Sequence, residues 1–448
     1  MGIVIPSYIE EVLDIINKYG EAFIVGGCVR DMLLGLTPHD FDITTDRTPS
    51  EIKEIFKDYK IINNNGEKHG TITIFYKHHQ IEITTYRVDK DYLDGRHPSE
   101  VSFTRNLAND LARRDFTINA LAYNKEKGLV DLYGGVRDLE SKIIRTVNNP
   151  YNRFEEDYLR ILRGLRFVSK LNFKMDEETK MASVRLAPKI LTYISGERIR
   201  EELKGILLGK NVLNTLLGYH EVIFSVIPEL RPCFNFKQNN PYHDHDVYTH
   251  ISYVVSYAKK DFTTRLAALL HDIAKPKTYT EEYKNNRIWG HFYGHAEEGV
   301  PLARNICNRL KLSNKEKEEV LYLVKEHDTY FEVNKRQVKR LIRRTPDYSY
   351  ELILKLLDLQ DADNKDHINA CPTNRDDIIK ILKEIKENEE ALQIKDLAIN
   401  GRDLIALGYE GKEIGLLLNE VLNLVLNDKL ENKKEDILNY LKKSGGKI

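Results

Sequence analysis

The stretch FIVGGCVRDMLLGLTPHDFDI, residues 23–43, decides the fold of the first part of this 448-residue chain. Its apolar start predicts a short buried strand, which is stopped by the pair Gly26 and Gly27, where the backbone can come close to a ligand. Residues 28–35 then predict a helix whose first N–H groups, together with Arg30, face an anionic group such as a triphosphate. The stretch is therefore typical of a site that handles phosphate.

Two aspartates follow this helix in the segment HDFDI, residues 39–43. If the segment is a strand, its period of two places Asp40 and Asp42 on one face, while Phe41 and Ile43 point into the core. A third acid, Glu82, alternates with apolar residues in the segment 80–86, and we expect it on the same face of a neighbouring strand. Carboxylates arranged in this way can hold magnesium ions, which activate an attacking hydroxyl group and stabilise a leaving pyrophosphate.

Four motifs occur in order along the chain: GGCVRDMLLG (26–35), DFDI (40–43), RRDFTINALAY (113–123) and EDYLRILRGLRF (156–167). Together they resemble the class II tRNA nucleotidyltransferases that build the CCA end, a branch of the superfamily that bacterial poly(A) polymerases share. The resemblance covers roughly residues 20–230. It implies an α+β fold, in which a mixed α/β nucleotidyltransferase head of the DNA polymerase beta type precedes an elongated, all-helical remainder.

The resemblance also implies roles for individual residues. In the family, positions matching Asp40 and Asp42 hold magnesium. The implied nucleotide contacts are Gly27, Arg30 and Arg114 in the head, and Asp157, Arg160, Arg163 and Arg166 in the fourth motif. Asp115 and Asn119 lie four residues apart and either support the head or form only a structural capping network.

The fourth motif replaces a nucleic-acid template in the family. As one continuous helix, it places Asp157 and Arg160 at i and i+3, so that both face one base. The carboxylate accepts from an exocyclic amine and the arginine donates to a ring acceptor, a pattern that suits cytosine and adenine but not uracil and guanine. Arg163 continues on that side, whereas Arg166 points nearly opposite to Asp157 in an ideal helix and rests on the resemblance.

A charged stretch with little periodicity, residues 87–110, predicts a mobile loop between the head motifs. In the family, a flexible loop at this place supports the switch from C to A addition and is shortened in enzymes that add only C. Its length here favours complete CCA addition. A-only addition and poly(A) synthesis stay open as alternatives.

A second site is indicated by RLAALLHDIAK, residues 265–275, which resembles the HD superfamily. In that superfamily histidines and aspartates bind a divalent metal, and a water molecule attacks a phosphoester. Four positions match the core ligands and two are additional candidates: His250, His271, Asp272 and Asp363, with His295 and His327. The set favours metal binding and makes a phosphohydrolase acting on nucleotides or RNA ends an alternative function. A degenerate, purely structural domain is the competing interpretation.

Composition narrows the class of protein. The four cysteines are far apart and form no CxxC pair, which fits a reduced cytosol and gives neither a zinc ribbon nor a disulfide framework. No apolar run reaches membrane-spanning length, and the first twenty residues lack a signal-peptide pattern. We therefore expect a cytoplasmic protein with no membrane partner, whose oligomeric state the sequence leaves unknown.

The net charge of −1 is low for a protein that binds RNA, because phosphate contacts require lysine and arginine. The distribution of charge matters more than its sum. Residues 335–344, KRQVKRLIRR, hold six bases and no acid, while residues 384–390 are rich in acids. A basic RNA-binding surface can thus coexist with an acidic one, although a solvated helix face explains the run equally well.

The sequence predicts four regions: head 1–145, base-reading helical neck 146–230, HD domain 231–365 and helical tail 366–448. The expected function is template-independent addition of C, C and A to the 3′ end of tRNA from CTP and ATP, with Mg²⁺ and with a second divalent metal as an option at the HD site. An alternative hypothesis assigns the chain to a different class of enzyme, in which the HD site carries the main activity and the head only binds nucleotide or RNA. A third reading is a non-catalytic tRNA-binding protein.

Overall fold

The computed structural model describes residues 3–62, 67–89, 101–284, 286–330, 332–368 and 374–443. The chain forms two compact units, one up to Pro228 and one from Glu229 onward. Most strands belong to the first unit. Those of the first unit are β1 (Ala22–Val25), β2 (Asp42–Thr45), β3 (Lys60–Ile62), β4 (Thr71–Tyr76), β5 (His79–Thr85), β6 (Arg87–Asp89), β7 (Val101–Phe103), β8 (Leu121–Asn124), β9 (Gly128–Asp131), β10 (Ile143–Ile144) and β11 (Lys174–Met175). Those of the second unit are β12 (Thr280–Lys284) and β13 (Arg287–His291).

Helices dominate the rest of both units. In the first unit they are α1 (Ser7–Asn17), α2 (Gly27–Leu33), α3 (Pro49–Ile55), α4 (Leu107–Ala112), α5 (Gly135–Glu140), α6 (Pro150–Glu156), α7 (Leu159–Leu171), α8 (Glu177–Leu186), α9 (Ile190–Tyr193), α10 (Gly196–Leu207), α11 (Val212–Gly218) and α12 (His220–Val226). In the second unit they are α13 (Val247–Tyr257), α14 (Phe262–Leu270), α15 (Lys275–Thr278), α16 (His295–Arg309), α17 (Asn314–Glu326), α18 (Lys335–Arg344), α19 (Tyr350–Asn364), α20 (Arg375–Glu387), α21 (Gly401–Ala406), α22 (Lys412–Leu426) and α23 (Lys434–Lys443). A mixed α/β head followed by helices confirms the expected fold class.

Seven strands form the sheet of the head in the order β3-β4-β5-β2-β1-β8-β9. The pair β2 and β5 is parallel and the other pairs are antiparallel. Every residue of β1 is buried, as its apolar sequence predicts for a central strand. The strand ends at Gly26, whose φ of +79° is a conformation that glycine adopts without strain.

The fourth sequence motif is not one continuous helix. Helix α6 ends at Glu156 and α7 begins at Leu159, and the intervening Asp157 has an extended backbone with φ of −150°. The apolar positions Leu162 and Leu165 of α7 are buried, as a helix period predicts. Asp157 therefore precedes the helix that carries the arginines.

The stretch 87–110, which the sequence predicts as a mobile loop, contains regular structure at both ends. Strands β6 and β7 pair as an antiparallel two-stranded sheet. Helix α4 follows, and the side chain of Asn106 caps it by accepting a hydrogen bond from the N–H of Ala108. These elements are too short to give a clear period in the sequence. The remainder of the predicted loop, residues 90–100, lies outside the described residues.

The second unit brings the ends of several helices together. All nine residues of α14 are buried, including Thr263, Thr264 and Arg265, so the helix is covered on every side. His271 directly follows α14, and His327 directly follows α17. Within the described ranges, no helix combines the length and the apolar character that crossing a bilayer requires.

Candidate functional site

Three acidic side chains, Asp40, Asp42 and Glu82, line one cavity of about 500 Å³ in the head. Asp42 is the register partner of Glu82 in the parallel pair β2 and β5, so both side chains leave the same face of the sheet. Asp40 precedes β2 instead of lying in it, and Phe41 is only half-buried. The strand starts later than predicted, at Asp42, because its pairing with β5 begins there and its pairing with β1 begins at Ile43.

The electrostatics of Asp42 reflect its crowded position. Burial raises the pKa of Asp42, the guanidinium of Arg114 lowers it, and the carboxylate of Asp40 raises it again. Both aspartates are nevertheless exposed, so water and ions can reach their oxygens. Such carboxylates are the hard oxygen ligands that magnesium prefers.

Arg114 lies beside both the glycine turn and the acids. A Cβ atom at Gly26 would come within 2.9 Å of Arg114 Nη1, which shows how closely the turn packs on this arginine. Nη2 of Arg114 lies 3.3 Å from an oxygen of the fully buried Asp110, which also pairs with Arg113 at 2.8 Å. Nε of Arg114 is buried without a hydrogen-bond partner in the described part of the chain.

The helix pattern predicts that Arg30 faces an open triphosphate site, but the structure places this side chain in the interior. Its side chain is buried, and Nη1 donates to Asn119 Oδ1 at 2.7 Å while Nε donates to Asp31 at 2.8 Å. A buried guanidinium requires such partners, and Asn119 is 89 residues away in sequence. Arg30 thus anchors α2 to the segment that contains Asn119. Gly27 is the first residue of that helix.

Asp115 and Asn119 form the capping network that the sequence leaves as one alternative. Asp115 accepts hydrogen bonds from the N–H of Phe116, from Asn119 Nδ2 at 3.0 Å and from Arg163 Nε at 2.8 Å. Burial alone raises the pKa of Asp115, but the charge of Arg163 and these hydrogen bonds hold it well below its ordinary value. The network joins the head to α7.

Asp157 and Arg160 do not share a helical face, because Asp157 lies before α7. Asp157 Oδ1 accepts from the N–H of Leu159 at 3.0 Å, and Oδ2 accepts from Arg198 Nη2 at 2.9 Å. Arg160, in the first turn of α7, donates to the carboxylate of Glu156. Sequence spacing places the two candidate base-reading residues close together but misassigns the local structure that presents them.

Arg163 and Arg166 both lie near α10. Arg166 Nε donates to Glu202 at 2.6 Å, and Arg163 Nη1 lies 4.0 Å from the same carboxylate. The ring of Phe167 lies beneath both guanidinium groups. Sequence reasoning missed Glu202 and Arg198, although their spacing of four residues is a signal that they share one helix face.

The predicted HD residues meet in one buried cluster. Nε2 of His250 lies 3.3 Å from Asp272 Oδ2 and 3.0 Å from Asp363 Oδ1. Nε2 of His271 lies 3.2 Å and 3.7 Å from the same two oxygens. Helix α13, the segment directly after α14, and the distant helix α19 thus present four potential metal ligands to one point.

The residues of this cluster are suited to bind a divalent metal ion. The ligand atoms of His250, His271, Asp272 and Asp363 are buried. Among the described residues, Nε2 of both histidines and Oδ1 of Asp363 have no hydrogen-bond partner, whereas Oδ2 of Asp272 pairs with Lys275 Nζ at 2.6 Å. Buried polar atoms are rarely left without a partner, and two imidazoles with two carboxylates form a common metal-ligand set. Burial lowers the pKa of His250, but Asp272 and Asp363 raise it to about 10, so the cluster attracts positive charge.

The two additional histidines approach the other oxygen of Asp272. Its Oδ1 lies 3.3 Å from His295 Nε2 and 3.7 Å from His327 Nε2, and the two imidazole nitrogens are 3.1 Å apart. Asp272, His295 and His327 form a second group of potential metal ligands, whose ligand atoms all lie within 4.8 Å of one another. Asp272 therefore lies between two groups of histidines.

Four neighbours of the cluster were missed in the sequence. Asp366 accepts a hydrogen bond from His250 Nδ1 at 2.9 Å, and Lys275 Nζ lies 2.6 Å from Asp272. The rings of His243 and His367 pack against His250. The spacing of Asp366, three residues after the predicted ligand Asp363, was an available signal.

The basic run 335–344 forms α18, and part of its charge is paired within the second unit. Lys335 binds Glu384 and Glu390 at 2.6 and 2.5 Å, and the buried Lys339 binds Glu390 at 2.6 Å. The acid-rich stretch 384–390 thus neutralises one side of the basic helix. Arg336, on another side, is exposed.

Three protein-family models match the chain. The model of the poly A polymerase head domain matches residues 22–145. The model called probable RNA and SrmB-binding site of polymerase A matches residues 172–230, and the HD domain model matches residues 247–366.

Curated relatives match the chain over nearly its whole length. The CCA-adding enzyme of Enterococcus faecalis is 32% identical over 453 residues, which cover 99% of this chain and 98% of the relative. The CCA-adding enzyme of Staphylococcus epidermidis is 33% identical over 432 residues, which cover 95% of this chain and 94% of the relative.

Solved structures give the same result. The CCA-adding enzyme of Bacillus stearothermophilus in complex with CTP matches with a TM-score of 0.73 and 26% identity, covering 98% of this chain and 96% of that chain. The enzyme of Thermotoga maritima complexed with tRNA matches with a TM-score of 0.61 over 98% of this chain and 97% of that chain; its 22% identity makes this a likeness of fold alone.

Proposed function

The chain belongs to the CCA-adding enzymes, and we propose that Asp40, Asp42 and Glu82 form the catalytic centre of this nucleotidyltransferase. The enzyme adds C, C and A to the 3′ end of tRNA, using CTP and ATP and releasing pyrophosphate. The observation that carries the assignment is the register of β2 and β5, which aligns Asp42 with Glu82 beside one open cavity.

The three carboxylates fit magnesium because all of them offer oxygen ligands on an exposed surface. A pair of magnesium ions held there would supply activation of the tRNA 3′-hydroxyl and stabilisation of the leaving pyrophosphate. Asp42 and Glu82 fix the position of this ligand set through the rigid strand pair. Arg114, beside Asp42, offers a positive charge to the phosphates of the incoming nucleotide.

The remaining nucleotide contacts divide between phosphate and base. The backbone at Gly27 admits close approach of the phosphates, and Arg30 supports that turn from the interior. We assign Asp157 as acceptor for the exocyclic amine of cytosine or adenine and Arg160 as donor to the adjacent ring nitrogen. Arg163 and Arg166 line the same side of the neck beside Glu202.

The test is incorporation of labelled CTP and ATP, separately and together, into tRNA transcripts that end before the CCA sequence, after CC, or after CCA. We expect ordered addition of two C and one A, followed by a stop, and no addition by Asp42→Ala. Addition of A only after CC would instead indicate an A-adding enzyme. Long A tracts would indicate poly(A) synthesis.

The HD cluster supports a second function, a divalent-metal centre that hydrolyses phosphoesters. The carrying observation is the convergence of four buried ligand atoms, of which Nε2 of His250, Nε2 of His271 and Oδ1 of Asp363 lack hydrogen-bond partners among the described residues. His250, His271, Asp272 and Asp363 would hold the metal, which supplies an activated water as nucleophile. His295 and His327 extend the ligand set on the other oxygen of Asp272.

Metal analysis of the purified protein and of His271→Ala, together with hydrolysis of bis-p-nitrophenyl phosphate and p-nitrophenyl phosphate, tests this centre. We expect bound metal and hydrolysis in the unsubstituted protein and a loss of both in the variant. Absence of metal and of hydrolysis in both proteins would leave the domain a structural one.

The domain limits and the location are also proposals. We assign head, neck, HD domain and tail to residues 1–145, 146–230, 231–365 and 366–448. A cytoplasmic location is supported by Cys28, Cys233 and Cys307, which are buried free thiols, while Cys371 lies outside the described residues.

A further inference from the structure

Arg198 makes a direct contact with the carboxylate assigned to base recognition. It lies in the first turn of α10, and its Nη2 donates to Asp157 Oδ2 at 2.9 Å. The other carboxylate oxygen, Oδ1, accepts from the N–H of Leu159 at 3.0 Å. Because one donor holds each oxygen, the carboxylate of Asp157 is fixed against rotation by a helix end on one side and by a guanidinium on the other.

This arrangement leaves acceptor capacity on Asp157. Each oxygen of an ionised carboxylate has about two lone-pair sites, so a bond from Arg198 leaves a further site on Oδ2 for a donor. An exocyclic amine of cytosine or adenine is such a donor, whereas the carbonyl oxygen at the same position of uracil or guanine is an acceptor. Discrimination therefore depends on the direction in which the remaining lone pairs point.

We propose that Arg198 is a positioning residue for base selection: by fixing the orientation of the Asp157 carboxylate, it sets the preference for CTP and ATP, which carry an exocyclic amine at the position where UTP and GTP carry a carbonyl oxygen. The inference rests on the proposed role of Asp157 in base recognition. It adds a residue on a different helix, outside the fourth sequence motif, to the group that determines which nucleotide is accepted.

A second observation at Arg198 supports this role. Its Nη1 is buried but has no hydrogen-bond partner in the ranges that the structure describes. A purely structural arginine normally has its buried donors paired, since an unpaired buried donor destabilises the fold. The side chains of Arg198 and Asp157 are 27% and 15% exposed, so the pair stands at the edge of the protein interior, where a base can reach it.

The neighbouring charges of α10 supply a matched control. Arg200, two residues further along the helix, bonds at 3.0 Å to Glu201, whose side chain is 59% exposed. The donor to Asp157 Oδ2 is Nη2 of Arg198. Arg200→Gln therefore removes the same charge from the same helix turn without changing the donor that holds the Asp157 carboxylate.

The experiment measures kcat/KM for single incorporation of CTP, UTP, ATP and GTP by Arg198→Gln, Arg198→Lys, Arg200→Gln and Asp157→Asn in the full-length chain. We expect Arg198→Gln to reduce the preference for CTP over UTP and for ATP over GTP by on the order of tenfold, within the range that one base contact provides. Arg198→Lys, which keeps one charged donor, should restore part of it. Arg200→Gln should leave both preferences unchanged.

The outcomes separate the inference from the function on which it rests. If Arg198→Gln lowers all four values by the same factor, Arg198 is structural and the inference is wrong. If Asp157→Asn changes the preference but neither Arg198 variant does, only the role of Arg198 is overturned. If Asp157→Asn also leaves the preference intact, the assignment of Asp157 itself fails. Thermal unfolding of each variant identifies a folding defect. If Arg198→Gln fails to fold, the nucleotide preference of Arg198→Lys tests the role of Arg198 instead.

Discussion

The carboxylates of the head and the histidine–aspartate cluster of the second unit differ in their access to water. Asp42 and Glu82 are exposed beside an open cavity, whereas His250, His271 and Asp272 are at most 1% exposed. Exposed carboxylates can be hydrated, so ions can exchange with solvent there during each catalytic cycle. Buried ligands must be satisfied by one another or by a bound metal. The carboxylates of the head therefore suit a metal ion that arrives with the substrate. The buried cluster of the second unit suits a permanently bound metal ion.

The largest expected effect tests whether the two regions act independently. Replacing Asp42 with Ala removes a proposed direct metal ligand. Loss of a residue that only hydrogen-bonds to a metal ligand already costs roughly 10–100-fold, so the rate of nucleotide addition should fall by more than that factor. His271→Ala should leave the rate of addition unchanged. Incorporation of labelled CTP and ATP into tRNA lacking its CCA end measures both.

A matched control for the head is Asp58→Ala, which removes an exposed acid outside the cavity. It should add nucleotides at the normal rate. If His271→Ala abolished addition while its unfolding midpoint stayed normal, the separation of the two centres would be wrong.

The head also contains a buried acid, and this sharpens the comparison. Asp115 is buried and bound by Arg163, whose side chain is 35% exposed, so removal of the acid loses its hydrogen bonds without burying a bare charge and destabilises by about 1–3 kcal/mol. Asp115→Ala should lower the free energy of unfolding by that amount, measured in urea. The exposed Asp40→Ala should change it by less than about 0.5 kcal/mol. Equal effects of the two substitutions would contradict the distinction between buried and exposed acids.

The pH dependence of this stability has a definite sign. The pKa of Asp115 in the folded chain lies well below its ordinary value of 3.8, so the ionised form is the one that folding favours. Its contribution is present above the unfolded pKa and is lost as the pH falls through the folded pKa. The stability difference between the unsubstituted protein and Asp115→Asn should therefore shrink as the solution is acidified below the unfolded pKa.

The sequence predicted those features that depend on local periodicity. The apolar run before Gly26 predicted a central strand, and alternation around Glu82 placed that acid on the strand beside Asp42. It failed where distant contacts decide. Arg30 is buried because Asn119, 89 residues away, accepts its hydrogen bond. No local pattern contains that partner.

The neck shows a second kind of failure. Helical spacing predicted Asp157 and Arg160 on one helix, but the side chain of Asp157 instead caps the start of α7 by accepting from the N–H of Leu159. Aspartate favours such caps over helix interiors. The charged residues before Asp157 gave no sign in the sequence that α6 ends at Glu156. The partner Arg198 comes from another helix and was invisible to spacing within the motif.

A resident metal in the buried cluster should stabilise the protein measurably. Mn²⁺ at 100 times its dissociation constant should raise the free energy of unfolding by about 2.7 kcal/mol, because only the folded chain presents the ligands together. The increase should persist in Asp42→Ala and disappear in His271→Ala. Differential scanning fluorimetry of the three proteins with and without Mn²⁺ measures it. Loss of the increase in Asp42→Ala instead would assign the stabilising ion to the head.

The smallest effect concerns the residue that orients a ligand of the buried cluster. Asp366 accepts a hydrogen bond from Nδ1 of His250 at 2.9 Å, which leaves Nε2 to face Asp272 and Asp363. Partners of this kind fix the tautomer and the ring orientation of a metal-binding histidine, and their loss costs roughly 10–100-fold in metal affinity. Asp366→Asn should weaken Mn²⁺ binding by this factor in calorimetry while leaving nucleotide addition unchanged. The exposed Asp377→Asn serves as the control and should bind Mn²⁺ normally. Unchanged affinity in Asp366→Asn would mean that the hydrogen bond between His250 and Asp366 does not contribute to metal binding in the buried cluster.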